Sequence, residues 1–96
     1  MNWIIFFNQY IEPKFPSGSK INRVNFQNGD FGDLTRVEFE VKSTIGAVEF
    51  WSKGWVAIYA VDKRISEQII NILCSPDEES KINDSFYELI RVLNDS

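Results

Sequence analysis

Residues 34–62, LTRVEFEVKSTIGAVEFWSKGWVAIYAVD, decide the fold. From residue 37 to residue 41 every second side chain is apolar and the residues between are charged, as in a strand with one buried and one wet face. The alternation resumes after Gly46, and residues 55–61 form a third run rich in β-branched and aromatic side chains. We therefore expect three consecutive strands, each antiparallel to the one before it.

The turn between the second and third of these strands is EFWSKGW, residues 49–55. Gly54 stands where a short hairpin loop commonly needs a residue with positive φ. Because Phe50 and Trp51 are adjacent, they face opposite sides of the sheet, and at least one indole lies on the wetter face. We favour a cross-strand aromatic pair that fixes the register of the hairpin; the alternative is an aromatic anchor for a partner.

The residues upstream of this stretch predict two further strands. Residues 3–8 are rich in tryptophan, isoleucine and phenylalanine, which suits a strand. Pro13 and Pro16 then favour a loop, because each fixes φ and removes a hydrogen-bond donor. A second strand around Val24 ends at Asn28-Gly29-Asp30, a sequence that tolerates the positive φ of a tight turn.

Residues 65–74 fit two patterns. Their apolar side chains match either a helical stripe or the alternation of Ile70, Ile72 and Cys74 in a strand. Pro76 disfavours helical geometry just before it and limits any helix here to about ten residues, which is marginal without packing. We favour an edge strand.

The C-terminal helix has the clearest signals. Ser75-Pro76-Asp77-Glu78 has the pattern of a capping box with proline at the first helical position, and its acids suit the positive end of the helix dipole. Five apolar residues then fall on one side of a helix: Ile82, Phe86, Leu89, Ile90 and Leu93. That stripe must cover one face of the sheet.

The length of 96 residues and the apolar content of 44% predict one folded domain, residues 1–96. We expect the α+β class, with an antiparallel β-meander of about five strands packed against a C-terminal α-helix. The single cysteine, the lack of a basic segment before the first apolar residues and the lack of a long apolar run argue against secretion and membrane insertion. We expect a cytoplasmic protein with no membrane partner.

The net charge of −4 is concentrated near the C-terminus. Residues 1–74 contain eight acids and eight bases, whereas residues 75–96 contain six acids and two bases. An acidic surface repels the phosphates of nucleic acids and attracts basic proteins. We therefore expect no nucleic-acid partner.

The absence of histidine removes the commonest general base and metal ligand. Cys74 alone cannot build a zinc site, and no basic neighbour activates it as a nucleophile. Glu38 and Glu40 project from one strand face about 6–7 Å apart, which suits a glycosidase pair, but they alternate with Arg36 and Lys42 as on a solvated face. The sequence predicts a protein that is not an enzyme and has no metal or cofactor.

Three segments together resemble the immunity proteins of bacterial polymorphic and contact-dependent inhibition toxins. They are MNWIIFFNQYIEPKFPSGS at residues 1–19, DFGDLTRVEFEVKSTIGAVEF at residues 30–50, and WSKGWVAIYAVD at residues 51–62, which leads toward an acidic helix. The likeness lies in the overall pattern, so it transfers no site residues. It implies a cytoplasmic, non-enzymatic inhibitor that binds its cognate toxin domain and blocks an active site or substrate surface.

A nuclease toxin has a basic surface, so acids on the wet face of the sheet and in the adjoining loop form the candidate partner-binding site. The candidate residues are Asp30, Asp33, Glu38, Glu40, Glu49 and Trp51. The acidic start of the C-terminal helix is an alternative patch, although we favour helix capping as the role of its acids. A small-ligand or regulatory module, with an aromatic pocket between sheet and helix, is a different function that stays open.

Overall fold

A five-stranded antiparallel sheet and two helices make up this α+β fold. The structure is a computed structural model that describes residues 1–95, apart from the side chain of Asn28. The strands are β1 (Lys20–Gly29), β2 (Gly32–Val41), β3 (Thr44–Trp51), β4 (Val56–Asp62) and β5 (Glu67–Cys74). The helices are α1 (Trp3–Phe6), which continues as a π-helical turn (Phe7–Ile11) and a 3₁₀ turn (Glu12–Lys14), and α2 (Glu79–Asp95).

The strands lie in the sheet in chain order, so the predicted meander with its C-terminal helix is confirmed. At the centre of the sheet Glu38 of β2 lies opposite Ala47 of β3, which in turn lies opposite Tyr59 of β4. The apolar residues that alternate along β2 are at most 4% exposed: Val37, Phe39 and Val41. The alternation read from the sequence therefore separates the buried face of the sheet from its other face.

Residues 67–74 form an edge strand, which is the interpretation that the sequence favoured. β5 pairs with β4 and has no second neighbour in the sheet. Ile70 and Cys74 point into the core and are 5% and 1% exposed. Ser66 makes the preceding turn with a φ of 51°, a left-handed conformation.

The prediction of a strand at residues 3–8 is wrong, because this segment is helical. The side chain of Asn2 caps α1 by accepting a hydrogen bond from the backbone N–H of Ile4 at 3.1 Å. Three side chains spaced four residues apart are at most 8% exposed: Trp3, Phe7 and Ile11. This helical spacing brings one apolar side against the sheet and outweighs the β-prone composition.

The sequence suggested that the alternation resumes only after Gly46, but Gly46 lies inside β3 and not in the turn before it. The turn is made by Lys42, with a φ of 56°, and Ser43. A β-carbon on Gly46 would overlap the backbone carbonyl oxygen of Tyr59 and would lie 2.8 Å from Cζ of Phe39. Glycine is required here because neighbouring strands and the Phe39 ring come too close for a side chain.

Gly46→Ala is expected to lower the free energy of unfolding by about 3 kcal/mol, the upper end of the range for overpacking, because backbone atoms must move. Urea denaturation followed by circular dichroism measures this loss. Ala57→Val is the control, because Ala57 lies on the adjacent strand and is only half-buried. An unchanged midpoint for Gly46→Ala would contradict the close approach.

α2 begins at Glu79, three residues after the predicted first helical position. Residues 75–78 instead form a turn in which the Glu78 N–H donates to the Ser75 carbonyl at 3.0 Å. The Glu78 carboxylate accepts a hydrogen bond from the Ser75 N–H at 2.9 Å. One of the two bonds of a capping box, from the Ser75 N–H to the Glu78 carboxylate, is therefore present, but it closes a turn before the helix. The Ile82 N–H then donates to the Glu78 carbonyl at the start of α2.

The core lies between the helices and one face of the sheet. Phe86 of α2 is fully buried at its centre. Its ring centroid lies 5.8, 6.0, 5.8 and 6.2 Å from those of Trp3, Phe6, Phe7 and Phe50, respectively. One aromatic side chain thus joins the N-terminal helical segment, the sheet and the C-terminal helix.

Asp62 ends β4 and fixes the turn into β5. Its carboxylate accepts a hydrogen bond from the backbone N–H of Arg64 at 2.9 Å and two from the Arg64 guanidinium at 2.7 and 3.2 Å. These bonds hold the pKa of Asp62 below its ordinary value, with the Arg64 side chain as the largest cause.

We expect the protein to lose stability on acidification. A carboxyl group whose pKa is lower when folded stabilises the fold above its unfolded pKa of about 4. That contribution disappears as the pH falls through the lower, folded pKa. Urea unfolding of Asp62→Asn should show reduced stability at pH 7, with the gap to the wild type closing toward pH 2.5. A gap that stays constant between these pH values would contradict the role of the ionised carboxylate.

Candidate functional site

The candidate site is the face of the sheet opposite both helices, here called the open face. The helices and their buried partners occupy the other face. The side chains that alternate onto the open face are those of Lys20, Asn22, Val24, Phe26, Leu34, Arg36, Glu38, Glu40, Ile45, Ala47, Glu49, Trp51, Ala57, Tyr59, Val61, Ile69, Asn71 and Leu73. All five strands therefore contribute to it.

Four of the six predicted site residues share this face. Glu38 and Glu40 lie on β2, and Glu49 and Trp51 lie on the adjacent β3. Arg36 lies directly opposite Glu49, so Glu38 and Glu49 are diagonal neighbours. A partner that contacts the middle of the sheet can therefore reach both carboxylates at once.

Arg36 occupies the centre of the open face and was not predicted as a site residue. Its Nε lies 3.4 Å from the Glu38 carboxylate, and its Nη1 lies 3.8 Å from that of Glu49. Its Nη2 donates to the Tyr59 hydroxyl, and its guanidinium carbon lies 5.5 Å from the centroid of the Tyr59 ring. Although Nε is buried and near a carboxylate, it makes no hydrogen bond of good geometry. The centre of the face therefore has mixed charge and is not uniformly negative.

Glu40 has a basic partner of its own. Lys63 Nζ donates to Glu40 at 2.7 Å, and this bond, followed by the charge of Lys63, lowers the pKa of Glu40. A general acid that works near neutral pH needs a raised pKa. Glu40 is therefore unsuited to act as the general acid of a glycosidase, and its contact with Lys63 is that of an ion-paired strand face.

A shallow depression of about 410 Å³ lies on the open face beside these charges. Its lining combines Arg36 and Tyr59 with the aliphatic side chains of Ile45 and Val61. Glu38 and Glu40 stand among the other lining residues. The depression therefore combines apolar side chains with hydrogen-bonding and charged groups.

Large apolar side chains extend across the open face to both edges of the sheet. Their exposed fractions are 49% for Phe26, 39% for Ile45, 44% for Ile69 and 49% for Leu73. Phe26 and Leu73 lie on the edge strands β1 and β5, and Ile45 lies on the middle strand, β3. Exposed apolar groups spread over one uncovered face, among charged side chains, are typical of protein-binding surfaces.

The aromatic residues around Gly54 form a cluster between two loops. Phe31 stacks on Trp55 with centroids 4.6 Å apart and meets Trp51 edge-on at 5.8 Å. The backbone joins the same loops, because Lys53 N–H donates to the Phe31 carbonyl at 3.2 Å. Trp51 is half-buried in this cluster. These contacts favour a structural role for the tryptophans, with Phe31 as a member that the sequence did not suggest.

Asp30 and Asp33 are exposed at the end of the sheet that holds this cluster. Asp33 and Glu40 are seven residues apart along the chain, which corresponds to about 23 Å of extended strand. The six predicted residues are therefore not one compact acidic patch. Glu38 and Glu49 are central, whereas the two aspartates and Glu40 lie toward opposite ends.

The alternative patch at the start of α2 consists of acids with local partners. The Ser75 hydroxyl donates to Asp77 and to Glu78, and the pKa of each carboxyl group is lowered chiefly by hydrogen bonds with Ser75. Lys81 lies 3.5 Å from Glu78. Asp77 and Glu78 therefore have partners within the chain. The third acid, Glu79, begins the helix, where the dipole favours its negative charge.

A second concavity, of about 440 Å³, lies between the start of α1 and the loop that follows β3. We call it the tryptophan groove, since its lining includes Trp3, Trp51 and Trp55. Phe50 and Ile4 extend its apolar wall. This groove is an aromatic pocket of the kind that the small-ligand hypothesis requires, although it lies at the end of the sheet.

Sequence reasoning missed Arg36 and Tyr59 because each was seen only as part of a regular alternation. A local signal was available: Arg36 lies two residues before Glu38, on the same strand face. Tyr59 gives no such signal, because its contact with Arg36 joins residues 23 positions apart. Only the register of β2, β3 and β4 reveals it.

Other chemistry is sparse in the part of the chain that the structure describes. Cys74 is buried, and burial raises the pKa of its thiol. Residues 1–95 contain no group of three or more metal-ligating side chains. Within the same residues, neither helix has the length and apolar character required to cross a bilayer.

Comparison with known proteins gave no match to a family model, to a curated protein or to a solved structure. A function must therefore be inferred from the open face and its contacts.

Proposed function

We propose that this chain is an immunity protein that binds a cognate bacterial toxin domain through its open face. Binding covers the active site or the substrate surface of the toxin, and the chain performs no catalysis. The proposed partner is a protein with a basic surface, as in a nuclease, and the proposed site of action is the cytoplasm. Neither nucleic acid nor membrane is a partner in this proposal.

The composition of the open face carries the proposal. One side of the sheet already has a complete core with the helices, so the other side is free to bind. That free side exposes apolar groups such as Ile45 and Leu73 by 39% and 49%. The same side carries Glu38, Glu49 and Arg36, which give hydrogen-bonding and charge specificity. Apolar contact with interspersed polar groups is the usual anatomy of a protein interface.

The charges of the open face suit a basic partner even though they are paired within the chain. The side chain of Glu38 is 43% exposed and accepts a hydrogen bond from Asn22 at 3.2 Å. Its cationic partner is Arg36 at 3.4 Å, which also lies 3.8 Å from the carboxylate of Glu49. One cation between two carboxylates leaves capacity for a second cation. An arginine from the partner can therefore bind between them, and the net charge of −4 favours its approach.

The proposal is tested by co-expression of the chain with the toxin domain encoded beside it. The expected result is a complex that copurifies and cells that survive expression of the toxin domain. An unrelated toxin domain of similar charge serves as the control, since it should neither copurify nor be neutralised. If no neighbouring gene product is bound or neutralised, the proposal is wrong.

The tryptophan groove supports a second candidate, a module that binds a small apolar or aromatic ligand. Its volume of about 440 Å³ lies within the usual range for ligand sites, and three indoles line it. A ligand there should change the tryptophan fluorescence and raise the melting temperature. Screening aromatic metabolites by both signals, with Trp55→Leu as the control that loses them, separates this candidate from the first.

A further inference from the structure

The sheet has two edges, and only one of them is protected. β1 and β5 are the edge strands, and each leaves backbone N–H and C=O groups without a partner strand on its outer side. β1 carries Lys20 and Arg23, and Arg23 also binds the N-terminal helical segment through Asn8 at 2.9 Å. Charged residues and covering segments are the devices by which proteins prevent edge strands from pairing.

β5 lacks these devices over most of its length. Residues 68–74, QIINILC, contain no charged residue and no proline. Ile69 and Leu73 are 44% and 49% exposed on the open face. A bulge occurs at the start of the strand, at Ile69, and residues 70–74 pair regularly with β4. An uncharged, β-prone segment on an exposed edge promotes pairing with another strand.

We infer that β5 pairs antiparallel with β5 of a second copy of this chain, with Asn71 at the two-fold axis. In this register Ile69 lies opposite Leu73 of the second copy, and Asn71 lies opposite its own counterpart. On the core side, Ile70 lies opposite Ile72. Every apolar residue of the central ladder meets an apolar residue, and the two polar residues meet each other.

The neighbouring registers are less complementary. In an antiparallel pair, residues that lie opposite each other have their side chains on the same face of the sheet. The pairing can therefore shift only by two residues, which moves the axis from Asn71 to Ile70 or to Ile72. The first shift places Asn71 opposite Ile69, and the second places it opposite Leu73. Both leave a polar amide against an apolar side chain in each half of the ladder.

Assembly stops at two copies, because the unprotected β5 edge of each copy is paired in the dimer and only the β1 edges remain at the two ends of the sheet. Strand pairing of this kind keeps the same faces on the same side. The two sheets therefore form one ten-stranded sheet with both open faces on one side and all helices on the other. The dimer does not depend on the proposed function, but it provides two binding faces where that function holds.

The inference is tested first by sedimentation of the isolated wild-type chain over a range of concentrations. A reversible monomer–dimer equilibrium is expected. A wild type that remains monomeric at every concentration would overturn the inference, and so would an open-ended series of larger oligomers. Neither result would bear on whether the monomer binds a toxin.

Charge substitutions then test the register. The double variant Ile69→Lys/Leu73→Lys places lysines opposite lysines across the axis, and Ile69→Glu/Leu73→Glu does the same with carboxylates. Each variant alone should dimerise at least about tenfold more weakly than the wild type. An equimolar mixture should recover a heterodimer, because every lysine then meets a glutamate. A mixture of folded variants without a heterodimer contradicts this register.

The control makes the same chemical change on the other edge strand. Val24→Lys/Phe26→Lys adds two lysines to β1 on the open face, where Phe26 is 49% exposed. The dimer should be unaffected. Loss of the dimer in this variant, together with its persistence in the β5 variants, would assign the contact to β1 and refute the inference.

Discussion

Phe86→Ala is expected to lower the free energy of unfolding by about 3–5 kcal/mol, the cost of deleting a buried aromatic side chain. The loss is large because the Phe86 ring contacts the rings of Trp3, Phe7 and Phe50 as well as its own helix. A single domain is usually stable by about 5–15 kcal/mol, so the variant should be near the limit of folding. Urea denaturation at 25 °C measures the change.

Tyr87→Ala is the matched control for this prediction. Tyr87 is the next residue of α2, but its side chain is 43% exposed, and Lys14 lies over its ring at 5.1 Å. Its removal should cost about 1 kcal/mol or less. Equal losses for the two variants would contradict the central position of Phe86 in the core.

Charge reversal on the open face has the largest expected effect on binding. Replacing Glu38, Glu40 and Glu49 together with lysine should weaken the complex with a basic toxin domain at least about 100-fold, because like charges at an interface cost several kcal/mol. The dissociation constant is measured by calorimetry. The corresponding glutamine variant removes the charges with little change in shape, and we expect it to lose about tenfold.

The control for charge reversal uses the alternative acidic patch. Asp77→Lys/Glu79→Lys/Asp84→Lys changes the net charge by the same amount at exposed positions in and before α2. Circular dichroism and thermal unfolding establish that each variant is folded. If the α2 variant loses binding and the open-face variant keeps it, the toxin binds at the helix start and the open face is the wrong surface.

The sheet was predictable because its strands repeat a period of two with turn residues between them. Residues 37–41 show this most clearly, and the register of β2 with β3 follows from the short turn that joins them. The N-terminal segment was not predictable from composition, because its residues suit a strand. Its helical form depends on the spacing of Trp3, Phe7 and Ile11 and on the Phe86 ring, which lies more than seventy residues away in the chain.

The sequence predicted which face of the sheet carries the candidate site, but it did not predict the contacts within that site. Alternation places Glu38, Glu40 and Glu49 on the wet side of the sheet whatever the details of packing. The cations that hold them were not predictable, because Arg36 of β2 reaches Tyr59 of β4 across the intervening strand β3, and Lys63 reaches Glu40 from the turn after β4. The partner of a long charged side chain depends on which groups lie near it in the folded structure, and sequence spacing does not show this.

Isoleucine methyl groups give the most direct test of the open face as the binding surface. Ile45 and Ile69 lie on that face with 39% and 44% exposure, whereas Ile5 of α1 is 58% exposed on the side of the helices. When the cognate toxin domain is titrated into protein labelled at the isoleucine δ1 methyl groups, the resonances of Ile45 and Ile69 should shift or broaden and that of Ile5 should not. A shift at Ile5 with Ile45 and Ile69 unchanged would contradict the account.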